Sequence, residues 1–201
     1  MEHLLVSLHV NDVGVEGLTQ AALSSSDRKS EFHNLIQSIG ASEGFYLSTC
    51  NRTEYLFSFT NAIEFDLHNV FGHKARVFTN RSQIIQHLLE VALSKDSVVF
   101  GESQILGQFK RAYEQALEWD VCGSELSPLL NSVIREAKSI RSRIGLTQVH
   151  TSISTVAGAK INADFADSNN SKHRILFIGS GETNTILDKK KKKRENFEFI
   201  W

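Results

Sequence analysis

Ser48-Thr49-Cys50-Asn51-Arg52-Thr53-Glu54 is a polar knot carrying a lone thiol, set between two apolar runs. On its amino side stands Phe45-Tyr46-Leu47. On the other, Tyr55, Phe57 and Phe59 alternate with Glu54, Leu56, Ser58 and Thr60, the period-two pattern of a half-buried strand. The pattern predicts strand–loop–strand with Cys50 at the tip, where a side chain can meet a ligand. Arg52 lies two residues on, and a guanidinium near a thiol favours the thiolate, the form that attacks carbonyls. We read Cys50 as a nucleophile. The competing reading is that a free cysteine is a small apolar filler, the common fate of buried thiols. Polar neighbours weigh against that for Cys50, whereas Cys122, beside Gly123 and without a cationic neighbour, fits it.

Upstream, Leu4, Val6, Leu8 and Val10 alternate as a strand, and Phe32, Leu35, Ile36 and Ile39 recur at helical spacing up to Gly40. Downstream, a helix starting near Ser82 has Ile84, Ile85, Leu88, Val91 and Ala92 as its apolar stripe. At 100° per residue His87 falls at the stripe's edge, able to reach a cleft or to serve as a satisfied structural histidine. Val98-Val99-Phe100 leads into Gly101-Glu102-Ser103-Gln104 and a long helix lined by Ile105, Leu106, Phe109, Ala112, Tyr113, Ala116 and Leu117. Glu102 and Gln104 stand at its start, as binding groups or as caps. A further helix is expected with Ser127 as cap, Pro128 in the first turn and Gly145 closing it. Its Arg135, Lys138, Arg141 and Arg143 read as a solvated face, with phosphate contact as the alternative.

From Ser152 to about Ala166 another helix is expected, then a polar linker over Asp167–His173. Arg174-Ile175-Leu176-Phe177-Ile178 reads as a short buried strand running into Gly179-Ser180-Gly181-Glu182-Thr183. A strand ending in Gly-x-Gly opens a dinucleotide-binding βα unit, in which a pyrophosphate sits at a helix N-terminus. Asn184 stands where the third glycine would be, and no acidic strand end follows about 20 residues later. After Leu187 and Asp188 come five lysines (Lys189–Lys193) and Arg194. Such a run repels itself, so the unit is expected to stop at one strand and a turn. Lysine codons are adenine-rich and invite frame slippage, so Lys189–Trp201 is expected to be an aberrant, out-of-frame tail; an RNA- or membrane-binding tail is the alternative.

The 201 residues suffice for one or two domains, and 41% hydrophobic with 22% charged residues is an ordinary soluble composition. A formal net charge of −1 does not announce a nucleic-acid binder, and two cysteines make no disulfide framework. The early apolar run is too short for a signal core or a membrane span, so a cytoplasmic location is expected.

Taken together, the Ser48–Glu54 block, His87 with its helix, Gly101-Glu102-Ser103-Gln104-Ile105-Leu106-Gly107-Gln108 and Gly179–Thr183 resemble glutamyl-tRNA reductase. The family's Asn-His-Lys-like turn after the first strand is replaced here by His9-Val10-Asn11-Asp12. The resemblance implies an α/β (α+β) catalytic domain over 1–150, the start of a linker helix over 151–172, an incomplete Rossmann-like NADPH unit over 173–188 and the tail over 189–201. It implies that Cys50 attacks the ester joining glutamate to tRNA(Glu), and that hydride from NADPH releases glutamate-1-semialdehyde from the thioester for tetrapyrrole synthesis. His87 would be catalytic. Thr49, Arg52, Glu54, Glu102 and Gln104 would bind substrate, and Gly179, Ser180, Gly181, Glu182 and Thr183 the cofactor, with no metal. Implied partners are charged tRNA(Glu), glutamate-1-semialdehyde aminotransferase and, through a dimerisation domain absent here, a second copy. Against reduction stand three rivals: a thioester-forming esterase, a non-catalytic tRNA-binding module and an inert remnant of a disrupted gene.

Overall fold

Strand alternation and helix punctuation account for most of the architecture. The computed structural model describes residues 2–24, 26–63, 65–72, 74–95, 104–145, 153–165, 173–179, 181–191 and 197–200. The elements are β1 (Glu2–His9), α1 (Val10–Ala21), α2 (Arg28–Ser38), β2 (Glu43–Ser48), β3 (Arg52–Phe59), α3 (Leu67–Phe71), β4 (Arg76–Phe78), α4 (Arg81–Ala92), α5 (Gln104–Glu118) and α6 (Leu126–Arg143). They are followed by α7 (Ile153–Asp164), β5 (His173–Leu176), α8 (Glu182–Lys191) and β6 (Phe197–Ile200).

The first four strands form one antiparallel sheet in the order β2-β3-β1-β4, the split βαβ pattern. Val77 and Phe78 supply a short edge beside β1. The expectation of a half-buried strand is corrected here, because every residue of β3 is buried. One face carries Tyr46, Tyr55 and Phe57 against Phe32 of α2, with ring centroids 5.9, 6.3 and 6.1 Å away, and Phe71 of α3 stands 5.3 Å from Tyr55. The other face carries Phe45, Leu56 and Glu54 beneath α4, α5 and α6, with Phe45 5.1 Å from Phe109. Burying a side chain such as Phe32 or Phe57 contributes about 1.5–3 kcal/mol. With helices on both faces, the polar residues that alternate along β1 and β3 point into the protein rather than into water.

Two predicted helix ends hold. Gly40 and Gly145 stop α2 and α6, both at positive φ (70° and 74°), where a side chain would be strained. Asn80 caps α4 by accepting from the amides of Ser82 and Gln83. The expected cap of α6 is corrected. The helix starts at Leu126, and Ser127 lies inside it with its hydroxyl 2.6 Å from the Tyr113 hydroxyl. Its first amides are instead satisfied from afar: the Glu43 carboxylate of β2 accepts from Gly123, Glu125 and Leu126 at 2.9, 3.1 and 2.8 Å. A carboxylate there also complements the helix dipole. Nor is the basic face of α6 wholly solvated, since Arg141 is buried.

β5, α8 and β6 form a second unit, a parallel pair joined by a helix, with His173 opposite Phe197 and Leu176 opposite Ile200. This overturns the expectation that the unit stops at one strand and a turn. Lysine is a good helix former and its charge suits a helix C-terminus, so Lys189–Lys191 extend α8 instead of breaking it. Leu187 is buried, while Leu176 and Ile178 lie on an exposed face. Val98–Phe100, most of the linker and Arg194 lie outside the described residues.

Candidate active site

The hairpin between β2 and β3 turns on two residues, Cys50 and Asn51, closed by the Thr49 amide donating to the Arg52 carbonyl at 2.8 Å. Neither central residue has the positive φ of the usual two-residue hairpin. The Thr49 hydroxyl oxygen holds the turn instead, accepting from the amides of Asn51 and Arg52 at 3.2 Å each. The Val10 amide donates to the Asn51 carbonyl at 2.9 Å, tying the tip to the start of α1. Cys50 is thereby presented to solvent on a fixed loop, and the buried Cys122 is not. Burial, helped by Glu43, pushes the Cys122 thiol up to about 12, so it stays protonated and inert.

Just inside the tip lies a buried polar chain. Pairing of β1 with β3 sets Ser7 opposite Glu54 and His9 opposite Arg52. Glu54 is 0% exposed; it accepts from the Ser7 hydroxyl at 3.0 Å, and its Oε2 stands 3.0 Å from His87 Nε2. Arg52 Nη1 lies 3.5 Å from Glu54 Oε1, with 4% of the Arg52 side chain exposed. One cation and one anion thus neutralise each other inside the protein, the condition under which buried charges are tolerated. With Nε2 facing this carboxylate, Nδ1 is the ring nitrogen left for another partner. The ring is packed 4.8 Å from Phe78, and 11% of the side chain is exposed, which fits its expected place at the edge of the α4 stripe.

The structure therefore joins Arg52, Glu54 and His87 and places Thr49 and Cys50 at the mouth of the same hairpin. Thr49 is committed to the turn, and Glu54 meets no solvent; its side-chain partners are Ser7, Arg52 and His87. Gln104 begins α5, half-buried, while Glu102 and Ser180 lie outside the described residues. Gly179, at φ 93°, and Gly181 form the turn before α8, whose backbone begins with Glu182 and Thr183. Ser7 and Glu43 went unremarked in the sequence. The signal for Ser7 was the alternation His3, Leu5, Ser7, His9, a polar-rich face opposite Leu4, Val6 and Leu8 that reads as solvated unless helices cover it. Glu43 had no local signal, because its partners are about 80 residues away. Among the described residues, no group of three or more His, Cys, Asp or Glu side chains is placed to hold a metal ion, and no helix is long and apolar enough to cross a membrane.

For a dinucleotide, the glycine turn offers open space above Gly179 and Gly181. Asn184 braces the turn, donating to the carbonyls of Ile178 and Gly179 at 3.2 and 2.8 Å. Two parallel strands with an uncovered face do not make the crevice between diverging strands that a dinucleotide occupies. The described residues do not fit NADPH.

This α/β domain raises an exposed thiol on a hairpin beside a buried Arg52–Glu54–His87 chain. The family model for the N-terminal domain of glutamyl-tRNAGlu reductase matches residues 6–144. The chain belongs to that family. It is 33% identical over 197 residues to a glutamyl-tRNA reductase of Marinobacter nauticus, covering 89% of this chain and 44% of that one. It is 29% identical over 202 residues to one of Nitratiruptor, covering 94% and 46%. The solved glutamyl-tRNA reductase of Methanopyrus kandleri shares the fold with a TM-score of 0.70 at 24% identity, over 93% of this chain and 45% of that one. The chain spans a little under half the length of these relatives.

Proposed function

We propose that this chain carries the acyl-transfer half of glutamyl-tRNA reduction, with Cys50 as the nucleophile. The observation that supports it is the exposed Cys50 on a braced two-residue turn, two residues from the Arg52–Glu54–His87 chain. The thiolate sulfur adds to the ester carbonyl carbon of the aminoacyl group. The carbon–oxygen bond to the terminal ribose then breaks, the electron pair leaves with the ribose oxygen, and that oxygen takes a proton. His87, fixed at Nε2 by Glu54, is the group suited to move that proton through Nδ1. Arg52 has five N–H donors and Glu54 occupies only part of them; the rest suit a carboxylate of the substrate. Reduction of the resulting thioester to an aldehyde belongs to the whole enzyme, with NADPH as the hydride donor, and glutamate-1-semialdehyde aminotransferase and a second copy remain its proposed partners. No step through NADPH is derived from the residues of this chain. On its own the chain should form the thioester and lose it slowly to water.

The test is to mix the protein with charged tRNA(Glu), quench in acid and map the peptides by mass. A glutamyl group on the peptide holding Cys50, absent after alkylation, is the expected result. No adduct under conditions where the tRNA ester is consumed would sink the reading.

A further inference from the structure

At the open edge of β2, on the far side of the hairpin from His87, lies a cavity of about 250 Å³. Its polar lining is Arg28, Ser48, Gln108, Arg111 and Gln115, and neither Cys50 nor His87 reaches it. Two guanidiniums share this wall, and no carboxylate lines it. Neither arginine forms an ion pair among the described residues, and Arg28 Nε is shut off from solvent with no hydrogen-bond partner. Glu31, three residues along α2, accepts from the Ser24 amide at 2.7 Å, and neither it nor Asp27 forms an ion pair with Arg28 among the described residues. Arg28 is also the first residue of α2, and a cation at a helix N-terminus opposes the helix dipole. Helix stability therefore does not explain it. Two unpaired guanidiniums and two amide side chains around one small cavity are a donor set that matches an anion with several acceptor oxygens.

We infer that this cavity binds a phosphodiester of the tRNA acceptor end, an assignment that rests on the acyl-transfer reading for its substrate. Ser48 belongs to the cavity wall and is two residues from Cys50, so the two backbones are at most about 7 Å apart. A phosphate held there fixes the terminal nucleotides while the ester they carry meets the thiol. Arg28, Arg111, Gln108 and Gln115 are positioning residues, since they touch the polynucleotide and not the reacting atoms.

The full chain, labelled with 15N-arginine, is titrated with cytidine 5′-monophosphate and, in parallel, with cytidine. The Arg28 Nε signal is assigned by its loss in Arg28→Lys. It moves with the monophosphate and not with the nucleoside; no movement with either, or equal movement with both, overturns the site. In a second arm, Arg28→Gln/Arg111→Gln lowers affinity for charged tRNA at least tenfold. It also makes the fall of log K with log salt shallower by about 0.7, one single-strand phosphate contact. The Cys50 alkylation rate in this variant stays that of the parent, which shows an intact hairpin. Unchanged affinity and slope overturn the assignment. A missing Cys50 adduct with the Arg28 shift intact refutes the acyl-transfer reading alone and upholds the phosphate site.

Discussion

Glu54 and His87, separated by 33 residues, meet at 3.0 Å inside the protein, and the Glu54 side chain has no solvent exposure. The pairing joins β3 to α4 and makes the state of the imidazole depend on a carboxylate no substrate can reach. Glu54→Gln leaves Arg52 buried without its counter-charge and should cost about 3 kcal/mol in denaturant unfolding. Glu54→Leu combined with Arg52→Met should recover part of that loss, because both charges leave together. A loss below about 1 kcal/mol in Glu54→Gln would mean that the chain of charges is not what holds β3 to α4.

The two thiols should differ sharply. With Cys50 exposed and Cys122 buried and pushed up to about 12, iodoacetamide at pH 8 should modify one residue in the native protein and two after unfolding. Cys50→Ser should abolish the native adduct. Native labelling at Cys122 would contradict the packing of the segment between α5 and α6.

Glu43 is the remote cap of α6. Removing its carboxylate with Glu43→Ala leaves three amides without their acceptor and should cost about 1–2 kcal/mol, with no change in the Cys50 alkylation rate. Gly123 is coupled to it: a Cβ there would lie 2.9 Å from Glu43 Oε1, so Gly123→Ala should weaken the same contact.

His3 carries the pH dependence that the resolved shifts allow. Burial, reinforced by Arg81, holds its pKa below the ordinary 6.5, and its Nε2 is buried without a hydrogen-bond partner. The unfolded chain therefore takes up the proton first. Its contribution is fully present above the unfolded value of about 6.5 and is lost as the pH falls below it. Stability measured from pH 7.5 down to 5 should decline, and the decline should be shallower in His3→Leu. Parallel curves for the two proteins would remove His3 as the cause.

The hairpin was legible because its signals are local: apolar alternation on both sides of Cys50 and a polar knot too short to be anything but a turn. The stripes of α4, α5 and α6 were legible by period, as was His87 at the edge of one. What escaped was set by long-range packing. That β3 is buried on both faces depends on six helices whose placement no window reveals, so Glu54 read as a surface group able to bind substrate. The α6 start was misplaced by two residues because Ser127 and Pro128 are good capping signals, while the acceptor in use, Glu43, sits on another element. The run Lys189–Lys193 was judged by repulsion and by its codons, although its first three residues lie in α8, where lysine's helix propensity and the dipole favour it.

The most direct test of the central claim is the single-turnover rate at which the chain, in excess over charged tRNA(Glu), removes the glutamyl ester, compared with Cys50→Ser under the same conditions. The account predicts that ester loss in Cys50→Ser falls at least a hundredfold, to the rate without protein, while tRNA affinity is kept. Equal rates in the two proteins would contradict a nucleophilic Cys50.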